Sequence, residues 1–213
     1  MPGTQAAAGL TLQNIGCERS GRLLFSGLTA HIEPGWLLRV EGANGAGKTS
    51  LLRIICGLLA PRQGRVLWQG QPICRLREEF GAQLLFLGHL VALKDEMSAL
   101  ENLHVNSRLN GLAAPDQAAM DALQQAGLSG REHVPVRLLS QGQRRRAALA
   151  RLLLGRQIPL WILDEPFNAL DRDAVAWLLQ LLTAQVLGGG IVVLTSHQSV
   201  ALPDTVAVAT ITL

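Results

Sequence analysis

The sequence contains no tyrosine, and aromatic residues make up only 4% of its 213 residues. Charged residues are also sparse, at 16%, whereas hydrophobic residues reach 48%, a balance that argues against long disordered segments. The net charge of +3 and the pI near 9.1 are too mild to indicate nucleic acid binding by themselves. A chain of this length and composition is expected to form one domain with a substantial hydrophobic core.

Cysteine is scarce as well, with three residues at widely spaced positions, Cys17, Cys56 and Cys74. An odd number without a C-x-x-C pattern argues against disulfides, a zinc site or covalent haem attachment, and favours a reducing compartment. The first residues lack the basic start and apolar core of a signal peptide. No run of about 18 to 20 apolar residues is uninterrupted, because Arg53 breaks the first candidate and Asp204 the last. We therefore expect a protein that serves any membrane from outside the bilayer.

One glycine-rich segment, residues 42–49, fits the phosphate-binding pattern G-x-x-x-x-G-K-[ST] at every fixed position. An apolar run at 36–40 predicts a buried strand before it, and residues 50–56 predict a helix after it, which is the context that a phosphate loop requires. The glycines allow successive N–H groups to turn towards one anion, and the helix adds its positive end. The expected nucleotide-binding residues are Gly42, Ala43, Asn44, Gly45, Ala46, Gly47, Lys48, Thr49 and Ser50.

The charged and hydroxyl groups of two segments predict the reaction. Lys48 is expected to neutralise the β and γ phosphates as a catalytic residue, and the Thr49 hydroxyl to coordinate Mg²⁺. Residues 160–163 predict a buried strand that ends in Asp164 and Glu165. That strand would bring Asp164 to the metal and Glu165 to the attacking water as general base. A solvated acidic pair after a core strand is the alternative when these two residues are considered alone.

The order of predicted segments indicates an α/β fold. Strand patterns occur at 10–15, 28–32, 36–40, 65–68 and 83–87, before apolar residues recur at helical spacing between 98 and 154. The chain then returns to a strand, a helix and a strand at 160–163, 172–187 and 191–195. Alternating strands and helices predict a parallel sheet covered on both faces. We expect a single domain over residues 1–213 that contains a helical subdomain at approximately 88–155.

A further segment, residues 139–143, opens a helix with a serine hydroxyl and a glycine amide, both suited to contact an anion. With this segment, the chain resembles the ATP-binding cassette (ABC) proteins. Five segments match in order, namely Walker A at 42–49, the signature at 139–143, Walker B at 160–165, the D-loop at 169–171 and the switch histidine at 196–197. The resemblance implies a P-loop NTPase with a RecA-like parallel sheet core, an antiparallel β subdomain and a helical signature subdomain.

The resemblance also implies a sandwich of two copies that encloses ATP and Mg²⁺. The signature residues Ser140, Gln141, Gly142 and Gln143 of one copy would close over the nucleotide held by the other. Asp171 would cross the interface, and His197 would contact the γ-phosphate or the attacking water as a catalytic residue. A second copy of the chain is therefore an expected partner.

Two positions depart from the family pattern. The glutamine that usually follows the strand near residue 87 is matched by Leu90, which cannot ligate a metal; His89, a water, or Gln83 in another register is the candidate replacement. The aromatic residue expected to stack on adenine is matched by Arg19, whose guanidinium plane can stack on a base.

Arginines at 144–146 would otherwise favour nucleic acid. Because they open the signature helix and no aromatic stacking platform accompanies them, we interpret them as solvated or as facing nucleotide and partner. No nucleic acid partner is expected.

Segments outside the five motifs narrow the resemblance to the ATP-binding subunits of bacterial haem exporters of cytochrome c maturation. They include residues 68–72, 87–89 and 98–103. This resemblance implies an ATPase at the cytoplasmic face of the bacterial inner membrane. Its partners would be the integral membrane subunits of the cytochrome c maturation transporter, docked near residues 94–101. No haem ligand set is evident, so direct haem binding is not expected. The alternatives are the ATPase of another exporter, for a drug, lipid or ion, or a soluble ABC ATPase.

Overall fold

A computed structural model describes residues 8–112, 114–196 and 201–213. The strands are β1 (Leu10–Arg19), β2 (Arg22–Ile32), β3 (Trp36–Glu41), β4 (Gln63–Trp68), β5 (Gln71–Pro72), β6 (Leu84–Leu87), β7 (Leu160–Leu163), β8 (Ile191–Thr195) and β9 (Ala207–Thr212). The helices are α1 (Lys48–Ile55), α2 (Ile73–Leu76), α3 (Glu78–Ala82), α4 (Ala99–Leu109), α5 (Asp116–Gln125), α6 (Gln141–Leu149), α7 (Arg151–Leu154) and α8 (Arg172–Leu187). A 3₁₀ turn at Val136–Leu138 precedes α6.

A five-stranded parallel sheet in the order β6-β7-β8-β3-β9 forms the centre of the molecule. Because a parallel sheet is covered on both faces, its inner strands are apolar throughout, and every residue of β7 and β8 is buried. The loops that follow β3, β6, β7 and β8 leave from the same edge of the sheet. This edge is where open α/β sheets bind ligands, and the phosphate loop, Asp164 and Glu165 lie at it.

Alternate residues of the parallel sheet supply two hydrophobic cores. One face packs against α1 and against the four-stranded antiparallel sheet β2-β1-β4-β5, and includes Leu38, Ile162 and Val193. The other face packs against α6, α7 and α8, and includes Trp161 and Val192. This alternation follows from the period of two in a strand and holds α1 and α6 on opposite faces of the sheet.

The helical part of the chain has a core of its own. Helices α4 to α7 bury small and aliphatic side chains against one another, among them Leu103, Ala119, Leu123 and Ala147. Helix α4 begins with a capping box, in which Ser98 Oγ accepts from Glu101 N at 3.2 Å and Ser98 N donates to Glu101 Oε2 at 2.7 Å. In the part of the chain that the structure describes, no helix is both long and apolar enough to cross a membrane.

The structure differs from the expected elements in several places, including the short elements β5, α2 and α3, which were not predicted. Strands β1 and β2 run well beyond 10–15 and 28–32, with irregular register in their pairing. The helix expected to run to residue 154 is interrupted at Ala150, between α6 and α7. Strand β9 was not predicted, although its residues alternate between half-buried and exposed, because the segment is short and its alternating residues are small.

Candidate functional site

The phosphate loop connects β3 to α1 at the ligand-binding edge of the sheet. Gly47 has φ 108°, and a Cβ there would lie 2.9 Å from the Phe25 ring. Gly42 has φ 144°, and a Cβ there would lie 2.9 Å from the carbonyl oxygen of Leu213. Larger residues at either position would be strained, so the loop requires glycine there.

Helix α1 begins with amide groups that no side chain caps. Its N-cap, Gly47, provides no side-chain hydrogen bond, and the first turn contains no acidic residue. The first N–H groups of a helix lack partners within the helix and favour an anion. The loop and the start of α1 therefore offer a set of backbone N–H groups that could donate hydrogen bonds to a phosphate group.

Lys48 brings its charge to this loop. The residue is 7% exposed, and its Nζ donates to the carbonyl oxygens of Gly42 at 2.8 Å and Ala43 at 3.3 Å. Both acceptors are neutral carbonyl oxygens, so neither hydrogen bond pairs the side chain with an opposite charge.

Asp164 is the centre of a buried hydrogen-bonded cluster at the ends of β7 and β8. Thr49 Oγ1 donates to Asp164 Oδ2 at 2.8 Å, and Thr195 Oγ1 donates to Asp164 Oδ1 at 2.8 Å. Hydroxyl and carboxylate oxygens are the ligands that Mg²⁺ prefers, and this ion is commonly held by one or two protein groups plus substrate phosphates. In the part of the chain that the structure describes, no group of three or more His, Cys, Asp or Glu side chains could hold a metal ion. The Thr49 hydroxyl and the Asp164 carboxylate are oxygen donors of the kind that suits Mg²⁺.

Glu165 directly follows and is held in an unusual conformation. The residue is buried and has φ 51°, in the left-handed region that non-glycine residues rarely adopt. Its N–H donates to Thr195 Oγ1 at 2.8 Å. Sequence reasoning missed Thr195; its position at the end of a buried apolar strand was the available signal.

These groups line one cavity of about 670 Å³. Its walls are formed by Arg19, Leu24, Asn44, Gly45, Gly47, Lys48, Thr49, Ser50, His89, Asp164, Glu165 and Asn168. The structure thus brings together five Walker A residues, both Walker B acids and the exposed Arg19. We call this space the phosphate cavity. Gly42, Ala43 and Ala46 belong to the same loop but are not among the lining residues. His89 was expected only as a candidate replacement for the missing glutamine, and Asn168 was not predicted.

The signature segment lies elsewhere in the same copy. Ser140 is the exposed N-cap of α6, where its Oγ accepts from Gln143 N at 3.3 Å and its N–H donates to Gln143 Oε1 at 3.0 Å. Gln141 lines a neighbouring cavity of about 640 Å³ that also contacts Glu165. Among the described residues, none of 140–143 lines the phosphate cavity. One copy of the chain therefore contains both predicted halves of the site but does not join them.

Asp171 caps the next helix. Its Oδ1 accepts from Ala174 N at 2.9 Å, and its Oδ2 accepts from Arg146 Nη2. The backbone hydrogen bond from Ala174, with a smaller contribution from Arg146, lowers the pKa of the Asp171 carboxyl group. This side chain is exposed and stays ionised at neutral pH.

The residues considered as replacements for the missing glutamine lie in different parts of the structure. Gln83 lies at the opposite end of β6, where its Oε1 accepts from Trp68 Nε1 at 2.8 Å, so it is excluded. Leu90 is 82% exposed. His89 lines the phosphate cavity and is the protein group that remains. His197 lies outside the described residues.

The three arginines of α6 differ from one another. Arg144 Nη1 donates to Asp95 Oδ1 at 3.2 Å in a partly exposed ion pair, and Arg146 pairs with Asp171. Arg145 is instead 5% exposed, and its guanidinium contacts backbone carbonyl groups after β7. The expectation that all three are solvated or face nucleotide and partner is therefore wrong for Arg145.

This fold and these motifs define a nucleotide-binding protein class, and comparison with known proteins identifies it. The family model described as ABC transporter matches residues 25–168. The chain belongs to the ABC transporter family. The expected fold, a P-loop NTPase with a parallel sheet core, an antiparallel sheet and a helical part, is confirmed.

Two solved structures show the same architecture. A putative ATP-binding protein of an ABC transporter from Pyrococcus furiosus has a TM-score of 0.80 and 26% identity, covering 94% of this chain and 96% of that one. A dimeric ATP-binding cassette in a post-hydrolysis state, bound to ADP and Pi, has a TM-score of 0.77 over 89% of this chain and 88% of that one. At 24% identity, the second likeness shows the fold alone.

Three curated relatives of the chain, from different bacteria, carry the same protein name. The cytochrome c biogenesis ATP-binding export protein CcmA of Aromatoleum aromaticum is 49% identical over 195 residues, covering 91% of each chain. CcmA of Haemophilus influenzae is 47% identical over 90% of each chain, and CcmA of Escherichia coli O157:H7 is 48% identical over 89% of each. The resemblance that the peripheral segments indicated is confirmed.

Proposed function

We propose that this chain is the ATP-binding and ATP-hydrolysing subunit of an ABC transporter complex that powers cytochrome c biogenesis, through haem export or release of a haem-loaded chaperone. The observation that carries the proposal is the hydrogen-bonded cluster of Thr49, Asp164 and Thr195. It joins the start of the phosphate-loop helix to the acidic end of a buried strand. The names of the similar proteins support the assignment to cytochrome c biogenesis.

The phosphate-binding steps follow from the loop. The N–H groups at residues 45–50 and the Lys48 ammonium would bind and orient the β and γ phosphates of ATP, and Arg19 would stack on the base. Thr49 and Asp164 would hold Mg²⁺, which when bound supplies positive charge to the phosphate oxygens.

We infer that residues 1–213 form one ATPase domain, with residues 88–155 as its helical subdomain.

Hydrolysis requires a base next to the γ-phosphate. Glu165 lies beside Asp164 on the same turn and lines the phosphate cavity. It would take a proton from the attacking water, with His89 and His197 as further contacts to the water or γ-phosphate. Phosphoryl transfer is catalysed mainly by positioning and electrostatic stabilisation. Glu165 would position and deprotonate the water, and Lys48 would stabilise the negative charge on the phosphate oxygens.

A second copy completes the site in this proposal. Ser140, Gln141, Gly142 and Gln143 form an exposed helix start, and Asp171 lies close by on the same surface through its pair with Arg146. Their separation from the phosphate cavity within one copy supports a role across a dimer interface. Each ATP would then lie between the phosphate loop of one copy and the signature helix of its partner.

Substitution of the base tests the ATPase assignment. Glu165→Gln is expected to lower ATP turnover by about 10² to 10⁴-fold while nucleotide binding persists, because only the proton acceptor is removed. Turnover is measured with the purified full chain and Mg²⁺-ATP, and binding with a fluorescent nucleotide. Glu78→Gln, at an exposed position on α3, serves as the control. Full turnover in Glu165→Gln would refute the assignment.

The membrane partners follow from the same group of relatives. We infer that the protein docks at the cytoplasmic face of the bacterial inner membrane onto integral membrane subunits of the CcmB, CcmC and CcmD type. The surface near residues 94–101 is a suitable docking surface, because buried Asn102 holds its start. Lys94 N donates to Asn102 Oδ1 at 2.7 Å and Asn102 Nδ2 donates to Lys94 O at 2.9 Å, while Lys94 itself is exposed.

A pull-down from detergent-solubilised membranes tests this partnership. Recovery of those membrane subunits is the expected result. Recovery of a different permease would favour another exporter, and recovery of no membrane protein would favour a soluble ABC ATPase. Either of these outcomes would contradict the proposed partners while leaving the ATPase assignment standing.

A further inference from the structure

Arg145 contacts a stretch of backbone next to the proposed reacting groups. Its Nη2 donates to the carbonyl oxygens of Asp164 at 3.0 Å and Glu165 at 2.6 Å, and its Nε donates to that of Pro166 at 3.4 Å. These carbonyl groups belong to three consecutive residues after β7. A planar guanidinium presents several donors in fixed directions and is suited to hold such a turn.

The turn needs external support because of its conformation. Glu165 has φ 51°, which is unfavourable for a residue with a side chain. Its N–H donates to Thr195 Oγ1, and its carbonyl oxygen accepts from Arg145. The backbone on both sides of the Glu165 side chain is therefore held from outside, by β8 on one side and by α6 on the other.

Arg145 shares one helix with the signature serine. Helix α6 is capped by Ser140 and runs without interruption through Arg145 to Leu149. A short hydrogen-bonded helix moves as a unit, so a displacement at its N-terminus reaches Arg145. Arg145 would pass that displacement to the backbone of Glu165.

The neighbouring arginines lack this arrangement. Arg144 and Arg146 are partly exposed and pair with Asp95 and Asp171. Burial lowers the pKa of the Arg145 guanidinium, and the nearby charges of Asp164 and Glu165 act in the opposite direction. Arg145 thus keeps a cation inside the protein, where its donors point at one turn.

We propose that Arg145 is a positioning residue that fixes the Glu165 backbone to the signature helix, so that an ATP phosphate seated at the start of α6 aligns the general base. This inference rests on the proposed ATPase function. It assigns to the signature helix a second task besides contacting nucleotide, namely the support of the catalytic turn in its own copy.

Arg145→Lys tests the proposal in the purified full chain with Mg²⁺-ATP. Lysine keeps the positive charge but cannot bond three carbonyl groups in the same fixed directions. Misalignment of the base is expected to lower kcat by about 10 to 10²-fold. KM for ATP is expected to stay within about threefold, because the phosphate loop is untouched.

Arg144→Lys is the matched control, one residue earlier on the same helix. Its guanidinium pairs with Asp95 and donates to the carbonyl oxygens of Arg137 and Leu139, and the hydrogen bonds of Arg145 to the turn after β7 stay in place. Because the Asp95 pair is exposed and Glu165 keeps its support, kcat is expected to stay within about twofold of the wild type. Arg145→Gln provides a second variant if lysine lowers the thermal midpoint of unfolding. It removes the buried charge and is expected to show the same fall in kcat with little change in KM.

A measurement of ATP-dependent dimerisation distinguishes alignment of the base from closure of the dimer. In the Glu165→Gln background, adding Arg145→Lys is expected to leave the ATP-bound dimer intact, as measured by light scattering, because the inference concerns base alignment only. Loss of the dimer, an unchanged kcat in Arg145→Lys, or an equal loss in Arg144→Lys would overturn the inference. An inactive wild type would overturn both the proposed function and this inference, whereas an active wild type with an equally active Arg145→Lys would overturn the inference alone.

Discussion

The phosphate loop and the signature segment each lead into a helix, but the two helix starts are built differently. Helix α1 follows Gly47 and has no side-chain cap, so its first N–H groups are open to an anion. Helix α6 follows Ser140, and a capping box with Gln143 closes its first turn. The first helix start has no side-chain cap, whereas the capping box of the second pairs the N–H groups of Ser140 and Gln143.

The surroundings of the two helix starts differ in the same way. The phosphate loop is held between the ends of buried strands, and Thr49 is tied to Asp164 across them. Ser140 is exposed and lies outside the phosphate cavity. Tertiary structure therefore builds one half of the proposed site between buried strand ends and presents the other half on a surface, where a second copy can reach it.

Two serines with the same local role provide the strongest test of whether the start of α6 has a function beyond capping. Ser140 and Ser98 both cap helices through capping boxes, with Gln143 and Glu101 as partners. Ser140→Ala is expected to lower ATP turnover by about 10 to 10²-fold, the effect of losing one hydrogen bond to a charged phosphate. Ser98→Ala is expected to cost about 0.5 to 2 kcal/mol of folding free energy without a comparable loss of turnover.

Urea unfolding and ATPase assays on both variants provide the measurements. Turnover is compared at a urea concentration and temperature where both variants are folded. If Ser98→Ala lost as much turnover as Ser140→Ala, the signature serine would be only a helix cap. The distinction between the two helix starts would then have no functional meaning.

A smaller effect, on the pH dependence of folding stability, is expected at Asp171, which pairs with Arg146 of the same helix that Ser140 caps. Its pKa is lowered in the folded chain, mainly by the hydrogen bond from Ala174 N and less by Arg146. The folded state therefore binds the proton more weakly than the unfolded chain does. The resulting stabilisation is complete above the ordinary carboxyl range near about pH 4 and is lost as the pH falls through the folded-state pKa.

Asp171→Asn should consequently lose less stability than the wild type on acidification below about pH 5, because asparagine caps the helix without a titrating charge. Arg146→Gln should show a smaller change in the same direction. Thermal midpoints measured over this pH range check both expectations. Identical pH profiles for Asp171→Asn and the wild type would show that this carboxylate is not held as the structure indicates.

The predictability of the fold varied with the kind of signal. Strands β7 and β8 and helix α8 occur at the ranges expected from the sequence, because a continuous apolar run or a long helical period defines each of them. Strand β9 and the short helices α2 and α3 were not predicted. Each is too short, or its alternation too weak, to be distinguished before neighbouring elements pack against it.

The candidate site shows the same limit at the level of single residues. Lys48, Asp164 and Glu165 were identifiable because their spacing follows a fixed loop or strand. Thr195 and Arg145 were not, since their roles depend on contacts across 30 and 20 residues of sequence, respectively. Arg145 stands in a run of three arginines that are alike in sequence and differ only in what each one faces.

The sequence by itself determined the phosphate loop, the acidic strand end and the signature helix, because each is a local pattern whose backbone conformation or periodicity depends on adjacent residues. Only the tertiary structure decided that Thr49 and Thr195 hold Asp164 from two sides, that Gln83 lies at the far end of β6, and that Arg145 is buried against the turn after β7. The physical reason is that hydrogen bonds and burial between distant segments exist only once parallel strands align and bring their ends to one edge.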